Sequence, residues 1–225
     1  MIGSICMESQ AEEAHFHGVP GERLVLASGV SVEVFARAAL PTRHGNFEIV
    51  AFRNSKDGLD HVAIVKGNVV GREAVPVRMH SECLTGDVFG SLKCDCRDQL
   101  EAAIATVAAT ECGVILYLRQ EGRGIGLANK VKAYSLQERG LDTVEANRHL
   151  GFDDDLREYD VAAGMLQLLG IASVDLITNN PRKLSGIRDH GVTVVARTPI
   201  QLPANPHNRF YLQTKKRKSG HLLVV

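Results

Sequence analysis

Three of the five cysteines in this chain, Cys83, Cys94 and Cys96, lie within fourteen consecutive residues. Zn²⁺ binds cysteine sulfur readily, and a site with three protein ligands leaves a fourth position open for water, as catalytic zinc sites do. A structural zinc ribbon would show two C-x2-C pairs, and this sequence has no second pair. A disulfide is a poor alternative, because Cys94 and Cys96 are too close in sequence to pair without strain. The spacing therefore predicts a metal site.

The composition is typical of a soluble globular protein, with 44% hydrophobic and 23% charged residues in 225. Basic and acidic residues both number 26, so no overall field attracts nucleic acid or a membrane surface, and we expect neither as a partner. No apolar run approaches the ~20 residues that a membrane-spanning helix needs. Unpatterned cysteines without a signal segment favour the reducing cytoplasm, where close cysteines bind metal or react.

The hydrophobic periodicity of the sequence differs between three regions of the chain. Residues 1–31 lack clean periodicity, and we interpret them as a mobile extension containing at most one short strand. We expect 32–225 to form a single domain. Apolar stretches of strand length between Val32 and Glu82 predict a mostly antiparallel β region. From Asp98 onward strands alternate with helices, which predicts a parallel or mixed sheet covered by helices, in the α/β (α+β) class.

A glycine-rich turn, Gly122–Gly126, follows a predicted strand and opens a predicted helix. Its glycines would let the backbone approach a ligand, and the free N–H groups at a helix start favour an anion. The spacing matches neither the dinucleotide fingerprint nor the phosphate loop. Arg119, Arg123, Lys130 and Lys132 cluster around the turn and suit a polyphosphate. Ordinary exposed helix charge is the alternative, and it fits Lys132 better than Arg123.

The segment from Asp142 to Tyr159 is polar and lacks periodicity, although it lies between two predicted helices. A loop of this length inside a compact domain is usually functional or disordered. Its interspersed apolar residues favour an ordered loop. Asp155 and Arg157 are two residues apart, so they would share one face of an extended segment.

Three features of the last third complete the pattern. Asn180 followed by Pro181 predicts the N-cap and first residue of a helix. The basic run Lys215–Lys218 is typical of a solvated face, although it could also contact a subunit or an anion. We interpret His221 as structural.

Taken together, these stretches resemble the GTP cyclohydrolase II family in its monofunctional form, the enzyme that opens riboflavin synthesis. The resemblance runs from about Ala39 to Leu223. It rests on HSECLTGD, SLKCDC, RQEGRGIGL, DTVEAN, LGF followed by Asp155 and Arg157, and TNNPRK. Several long motifs in one order are highly specific. Only about forty residues precede the match, so we expect no fused dihydroxybutanone-phosphate synthase domain.

The resemblance implies a role for each matching position. The three cysteines match the family's ligands for one zinc ion per subunit. Asp155 and Arg157 match its proton acceptor and nucleophile, and Tyr134 matches a tyrosine near the purine ring. The positions that match GTP contacts are Arg78, Met79, His80, Ser81, Glu82, Gln99, Glu121, Gly122, Arg123, Thr143, Thr178 and Lys183.

The implied reaction converts GTP to 2,5-diamino-6-ribosylamino-4(3H)-pyrimidinone 5′-phosphate, formate and pyrophosphate. Zinc would activate the attacking water, and Mg²⁺ would accompany the triphosphate. The family also implies a homodimer. One implied role conflicts with elementary chemistry, because arginine keeps its proton up to a pKa above ~12 and is a poor nucleophile. Arg157 could equally stabilise charge in the transition state.

Three alternatives stay open. The sequence His80-Ser81-Glu82 matches the H-x-E of zinc nucleobase deaminases, but the later P-C-x-x-C of that signature is absent. A zinc module that binds GTP without turnover is the non-enzyme alternative. Within the family, a variant could stop at the formamidopyrimidine intermediate after ring opening.

Overall fold

A computed structural model describes residues 17–223 of the chain, and a single mixed sheet of eight strands runs through them. The spatial order of the strands is β1-β2-β3-β4-β6-β5-β7-β8. Their bounds are β1 (Arg23–Val25), β2 (Ser31–Thr42), β3 (Gly45–Asn54), β4 (His61–Lys66), β5 (Val75–Ser81), β6 (Gly113–Leu118), β7 (Val174–Ile177) and β8 (Val194–Thr198).

Seven α-helices and one short 3₁₀ turn connect the strands within the described residues. The helices are α1 (Leu84–Asp87), α2 (Cys96–Ala108), α3 (Gly126–Gln137), α4 (Thr143–His149), α5 (Asp160–Leu168), α6 (Pro181–Arg188) and α7 (Arg209–Ser219), and the turn is Glu121–Gly124. Over the part of the chain that is described, none of these helices has the length and apolar character needed to cross a bilayer.

The sheet changes character along its width. Strands β1 to β4 pair antiparallel in sequence order, and β4 pairs antiparallel with β6. Beyond β6 every pairing is parallel, from β6 through β5 and β7 to β8. The sequence GVILYL of β6 is almost wholly buried, as expected for a strand covered by other elements on both faces. The predicted α+β class, with an antiparallel first region and a mixed sheet, is confirmed.

Two apolar clusters cover the two faces of the sheet. Val114 and Leu116 of β6 belong to the larger cluster, whereas Ile115 between them belongs to the smaller one. Because successive side chains of a strand point to opposite faces, the clusters lie on opposite sides. Helix α5 supplies Met165 to the larger cluster, and α2 supplies Val107 to the smaller. The sheet is therefore a rigid platform for the segments at its edge.

Helix α6 begins as its sequence predicts. The Asn180 side chain accepts a hydrogen bond from the backbone N–H of Arg182, at 3.0 Å, and Pro181 occupies the first helical position. Proline fits there because its missing N–H would have no partner within the helix.

The prediction of an aperiodic segment from Asp142 to Tyr159 is wrong in its first half, because residues 143–149 form α4. The carboxylate of Asp142 accepts from the N–H groups of Val144 and Glu145, and the Glu145 carboxylate accepts from the N–H of Asp142. This reciprocal capping box starts the helix. Two turns are too short to display a hydrophobic period, so only the D-x-x-E spacing signalled the helix.

The expected N-terminal extension lies partly outside the described residues, which begin at residue 17. Within 17–31, β1 pairs with β2 through partners such as Leu24 and Val32, and Leu26 is buried in the larger apolar cluster. The boundary at residue 31 stays a prediction.

Replacing Leu176 by alanine tests whether the larger cluster stabilises the sheet. Leu176 lies fully buried in β7, so its truncation removes apolar contacts and leaves a cavity. We expect the free energy of unfolding to fall by roughly 2–5 kcal/mol. Val195→Ala is the matched control, since Val195 on β8 is 56% exposed. Urea unfolding followed by circular dichroism measures both variants, and equal midpoints for the two would contradict the assignment.

Candidate active site

The carboxyl ends of three parallel strands lie side by side at one edge of the sheet. Ser81 ends β5 and is paired in register with Leu118, which ends β6. Strand β7 ends at Ile177, and residues 178–180 follow it to the N-cap of α6. Open α/β sheets bind ligands outside this edge, where the chain leaves the strands. A cleft opens at this position.

The cleft has two halves, which share five lining residues. We call the half that contains the three cysteines the metal half, and the half that contains Lys183 the cation half. The shared residues are Ser81, Cys96, Arg123, Arg157 and Tyr211.

The metal half brings the three predicted ligands together. The Sγ atoms of Cys83, Cys94 and Cys96 lie within 4.8 Å of one another, and those of Cys83 and Cys94 are 3.7 Å apart. Zn–S bonds of about 2.3 Å in a tetrahedron place two sulfurs roughly 3.8 Å apart. All three cysteines are free thiols, two of them buried and Cys96 half-buried. The donor set and its spacing therefore fit a zinc ion.

Gly86 allows the sulfurs to approach one another. It lies in α1, the single turn that connects β5 to the second and third cysteines. A Cβ atom at this position would lie 2.8 Å from Sγ of Cys94 and 3.1 Å from Sγ of Cys83. Side chains do not tolerate contacts this short, so any larger residue would push the thiols apart.

Lys130 of α3 links the metal half to the glycine-rich turn. Its Nζ donates to Sγ of Cys83 at 3.0 Å and to Oε1 of Glu121 at 2.7 Å. Burial alone would lower the pKa of Lys130, but Glu121 and Cys83 outweigh it and raise that pKa. Hydrogen bonds from the other two cysteines, with help from Lys130, lower the pKa of the Cys83 thiol. The sequence grouped Lys130 with polyphosphate cations, whereas the structure places it on a thiol.

Helices α3 and α4 complete the wall of the metal half. The hydroxyl of Tyr134 lies 3.2 Å from that of Thr85, which in turn follows the first cysteine by two residues. Thr143, the first residue of α4, and Asn147 one turn later also line this half. The capping box of α4 therefore fixes the position of a predicted substrate contact.

The glycine-rich turn adopts a strained backbone. Gly122 and Arg123 both have φ of 63°, in the left-handed region that favours glycine. Arg123 is held there because its carbonyl accepts from the N–H of Leu156 and its guanidinium donates to the carbonyl of Asp154. Such strain persists where the surroundings enforce it, and it concentrates at functional sites. The turn is thereby packed against the segment that carries Asp155.

Asp155 and Arg157 form a bidentate ion pair, as their shared face suggested. Nε and Nη2 of Arg157 donate to the two carboxylate oxygens at 2.8 and 2.6 Å. Burial would raise the pKa of Asp155, but the hydrogen bonds and charge of Arg157 outweigh it and lower that pKa. Burial would lower the pKa of Arg157, but its neighbours, Asp155 among them, outweigh burial and raise that pKa. Both groups are therefore held in their ionised forms.

The cation half is lined by more positive charge than its neighbours balance. Only two of its five cations have a carboxylate within 4.0 Å among the described residues: Arg157 pairs with Asp155, and Lys215 with Asp95. Burial, followed by repulsion from neighbouring cations, lowers the pKa of Lys183. The five cations are Arg78, Arg123, Arg157, Lys183 and Lys215.

Most of the residues predicted from the resemblance line one half or the other. Asp155 and Met79 are the exceptions: Asp155 contacts Arg157, and the Met79 carbonyl accepts a hydrogen bond from Nζ of Lys183 at 2.5 Å. The predicted residues that line the cleft are Arg78, His80, Ser81, Glu82, Cys83, Cys94, Cys96, Gln99, Glu121, Gly122, Arg123, Tyr134, Thr143, Arg157, Thr178 and Lys183.

Sequence reasoning missed the contribution of the C-terminal helix. Tyr211 and Lys215 of α7 line the cation half, as does His221 just beyond it. The solvated-face interpretation of the basic run fails at Lys215, whose side chain is only 12% exposed, and holds for Lys216. The available signal was the spacing of Tyr211 and Lys215, which places them on one helix face.

Gly86→Ala tests the packing that lets the sulfurs meet. The added methyl group would contact two thiols at once, so we expect zinc affinity to fall on the order of 10- to 100-fold, as when metal ligands lose their orientation. Competition with a chromophoric chelator measures the affinity. Val88→Ala, two residues along the chain and 58% exposed, is the control. Parental affinity in Gly86→Ala would show that the glycine is dispensable.

Comparison with known proteins identifies relatives of most of the chain. The riboflavin biosynthesis protein RibBA of Bacillus cereus is 55% identical over 188 residues, which cover 84% of this chain and 47% of that protein. RibBA of Bacillus subtilis is 57% identical over 185 residues, or 82% of this chain and 46% of that protein. The chain thus spans about half the length of these curated relatives.

A likeness to a solved structure is much weaker. RibBX of A. baumannii, a two-domain 3,4-dihydroxy-2-butanone 4-phosphate synthase, aligns with a TM-score of 0.41 and 20% identity, over 74% of this chain and 40% of that one. This likeness carries no argument. A family model is decisive: the model described as GTP cyclohydrolase II matches residues 33–199. The chain belongs to the GTP cyclohydrolase II family.

Proposed function

We propose that this protein is a zinc-dependent GTP cyclohydrolase II. It would convert GTP to 2,5-diamino-6-ribosylamino-4(3H)-pyrimidinone 5′-phosphate, formate and pyrophosphate, the first step of riboflavin biosynthesis. One observation carries the proposal: the half that holds three convergent thiols and the half lined by five cations share five of their lining residues. An enzyme that hydrolyses the purine ring of a nucleoside triphosphate needs a metal site beside the base and cations beside the phosphates. The two must lie no farther apart than the two ends of one nucleotide.

The guanine ring would occupy the metal half. Zinc held by the three cysteines would supply a Lewis acid that activates water for attack on the ring. Tyr134 lies in the same half and offers an aromatic face and a hydroxyl to the base. Glu82 and Glu121 line it as well, and can accept hydrogen bonds from the N–H groups of guanine. We assign the predicted base contacts to these residues.

The triphosphate would occupy the cation half. Its cations exceed their carboxylate partners by three, which suits the charge of a triphosphate. Burial and then repulsion from neighbouring cations lower the pKa of Lys183, and a bound anion would relieve that repulsion. Mg²⁺ would accompany the phosphates, as in most enzymes that cleave nucleotides.

For Arg157 we infer a role in charge stabilisation rather than as a nucleophile. A base that removes a proton from a guanidinium needs the two pKa values to approach each other. The ion pair with Asp155 has the opposite effect, lowering the carboxyl pKa and raising that of the guanidinium. Arg157 lines both halves, so its fixed charge would lie between the base and the phosphates. That position suits stabilisation of a developing phosphate charge.

Two further features are proposed: a homodimer, from family membership, and a cytoplasmic location, from the cysteine usage of the sequence. Sedimentation velocity would establish the subunit number. No contact among the described residues of the cleft favours the alternative that stops at the formamidopyrimidine.

Turnover of GTP tests the proposed reaction directly. With Zn²⁺ and Mg²⁺ present, we expect formate and pyrophosphate in equal amounts, with the pyrimidinone identified by mass. Cys94→Ser should abolish formate release, because it removes a metal ligand, whereas Cys112→Ser should retain it, since Cys112 packs against the larger apolar cluster. Pyrophosphate without formate would indicate the truncated reaction, binding without products a sensing module, and ammonia a deaminase.

Arg157→Lys tests the two roles of the arginine. A lysine keeps the charge but loses the bidentate geometry, so kcat should fall roughly 10²- to 10³-fold, the usual effect of removing one donor from a transition-state site. Arg148→Lys is the control, because Arg148 makes a similar bidentate pair with Asp154 but is 68% exposed. Rapid quenching of the parent with labelled GTP should trap no phosphoamidate adduct. Such an adduct, absent in Arg157→Lys, would establish the nucleophile instead.

A further inference from the structure

The C-terminal segment lies beyond the part of the chain that the family model matches, yet it lines the cation half of the cleft. The family match ends at residue 199, and α7 begins ten residues later. The residues after α7 are held by hydrogen bonds to that helix and to the segment after β7. The N–H of His221 donates to the carbonyl of Lys215, and the N–H of Leu222 donates to the carbonyl of Asn179, just past β7. These bonds fix the segment beside Thr178, the predicted substrate contact that follows β7.

Lys215 is the charged group that this segment contributes. Its Nζ donates to Oδ1 of Asp95 at 2.9 Å and lies 4.4 Å from the ring centroid of Tyr211. Burial alone would lower the pKa of Lys215, but Tyr211 and Asp95 outweigh it and raise that pKa. Lys215 therefore keeps its proton in a buried position that lines the cation half.

Asp95 does not use its charge on Lys215 alone. Its second carboxylate oxygen accepts a hydrogen bond from the side chain of Gln99, whose own amide oxygen accepts from Nη2 of Arg78 at 2.6 Å. The Asp95 carboxylate thus serves two cations: it contacts Lys215 directly and Arg78 through Gln99. Buried charge is costly when it is incompletely paired, so an anion in the cleft would improve the energetics of both Lys215 and Arg78.

We propose that Lys215 binds the triphosphate of the nucleotide, and that α7 with residues 220–223 is a functional wall of the site. The inference rests on the proposed function, because it adds a contact to the same cleft. The competing explanation is that Lys215 only neutralises Asp95 and so holds this residue in place between Cys94 and Cys96.

Binding of inorganic tripolyphosphate with Mg²⁺, measured by calorimetry, separates the two explanations without requiring turnover. We expect Lys215→Gln to weaken binding roughly 10- to 100-fold, the contribution of a charge-assisted hydrogen bond, and to raise KM for GTP more than it lowers kcat. Zinc content should stay at the parental level, and Lys215→Arg should restore most of the affinity. Lys216→Gln, which removes the same charge from an exposed position of the same helix, should bind as the parent does.

The double variant Lys215→Gln with Asp95→Asn makes the discrimination sharper. If Lys215 only balances Asp95, removing both charges restores tripolyphosphate binding, and the inference is overturned. If Lys215 contacts phosphate, the double variant binds as weakly as Lys215→Gln. Parental affinity in Lys215→Gln, with or without loss of zinc, also overturns it.

The inference and the proposed function fail separately. A parent protein that releases no formate but binds tripolyphosphate through Lys215 would contradict the reaction and support the phosphate contact. A parent that turns over GTP while its affinity for tripolyphosphate is independent of Lys215 would contradict the contact alone.

Discussion

The site depends on one pairing in the sheet, the insertion of β5 between β6 and β7 with all three strands parallel. Parallel strands leave the sheet at the same edge, so the residues after each strand meet there although they are distant in sequence. Cys83 follows β5, Glu121 follows β6 and Thr178 follows β7. An antiparallel β5 would have carried the first cysteine to the opposite edge. The packed core on both faces makes this arrangement rigid, which a metal site requires.

The electrostatics of the cleft follow from the same geometry. Thiols gather where β5 ends and α2 begins, whereas the other half is lined by five cations, so the two halves differ in the groups that they offer to a ligand. Arg157 and Arg123 lie where the halves join. Each is fixed by the segment after α4, Arg157 through Asp155 and Arg123 through backbone contacts. A nucleotide has the matching division, with a neutral base at one end and an anionic chain at the other.

The sequence predicts those parts of this arrangement that short-range patterns encode. The strands, the cap at Asn180 and the cysteine cluster are local in the chain and were foreseeable. Helix α4 was signalled only by its D-x-x-E spacing, because two turns display no hydrophobic period. The roles of Lys130 and Lys215 were harder to foresee, since charge does not tell which lysine turns inward and only the spacing of Tyr211 and Lys215 pointed to the second. Nor does order along the chain predict that β5 lies between later strands.

Lys130 also offsets a chemical disadvantage of three cysteine ligands. Three thiolates donate so much charge that an ion held by them is a weaker Lewis acid than one bound by imidazoles. A hydrogen bond from an ammonium group to one thiolate withdraws part of that charge. Lys130 makes this bond to Cys83, Glu121 holds the lysine, and the N–H of Leu84 in turn donates to Glu121 at 2.7 Å. With a metal ion bound, the turn after β6 would thus tune the ligand after β5, and the strand pairing would govern the chemistry as well as the shape of the site.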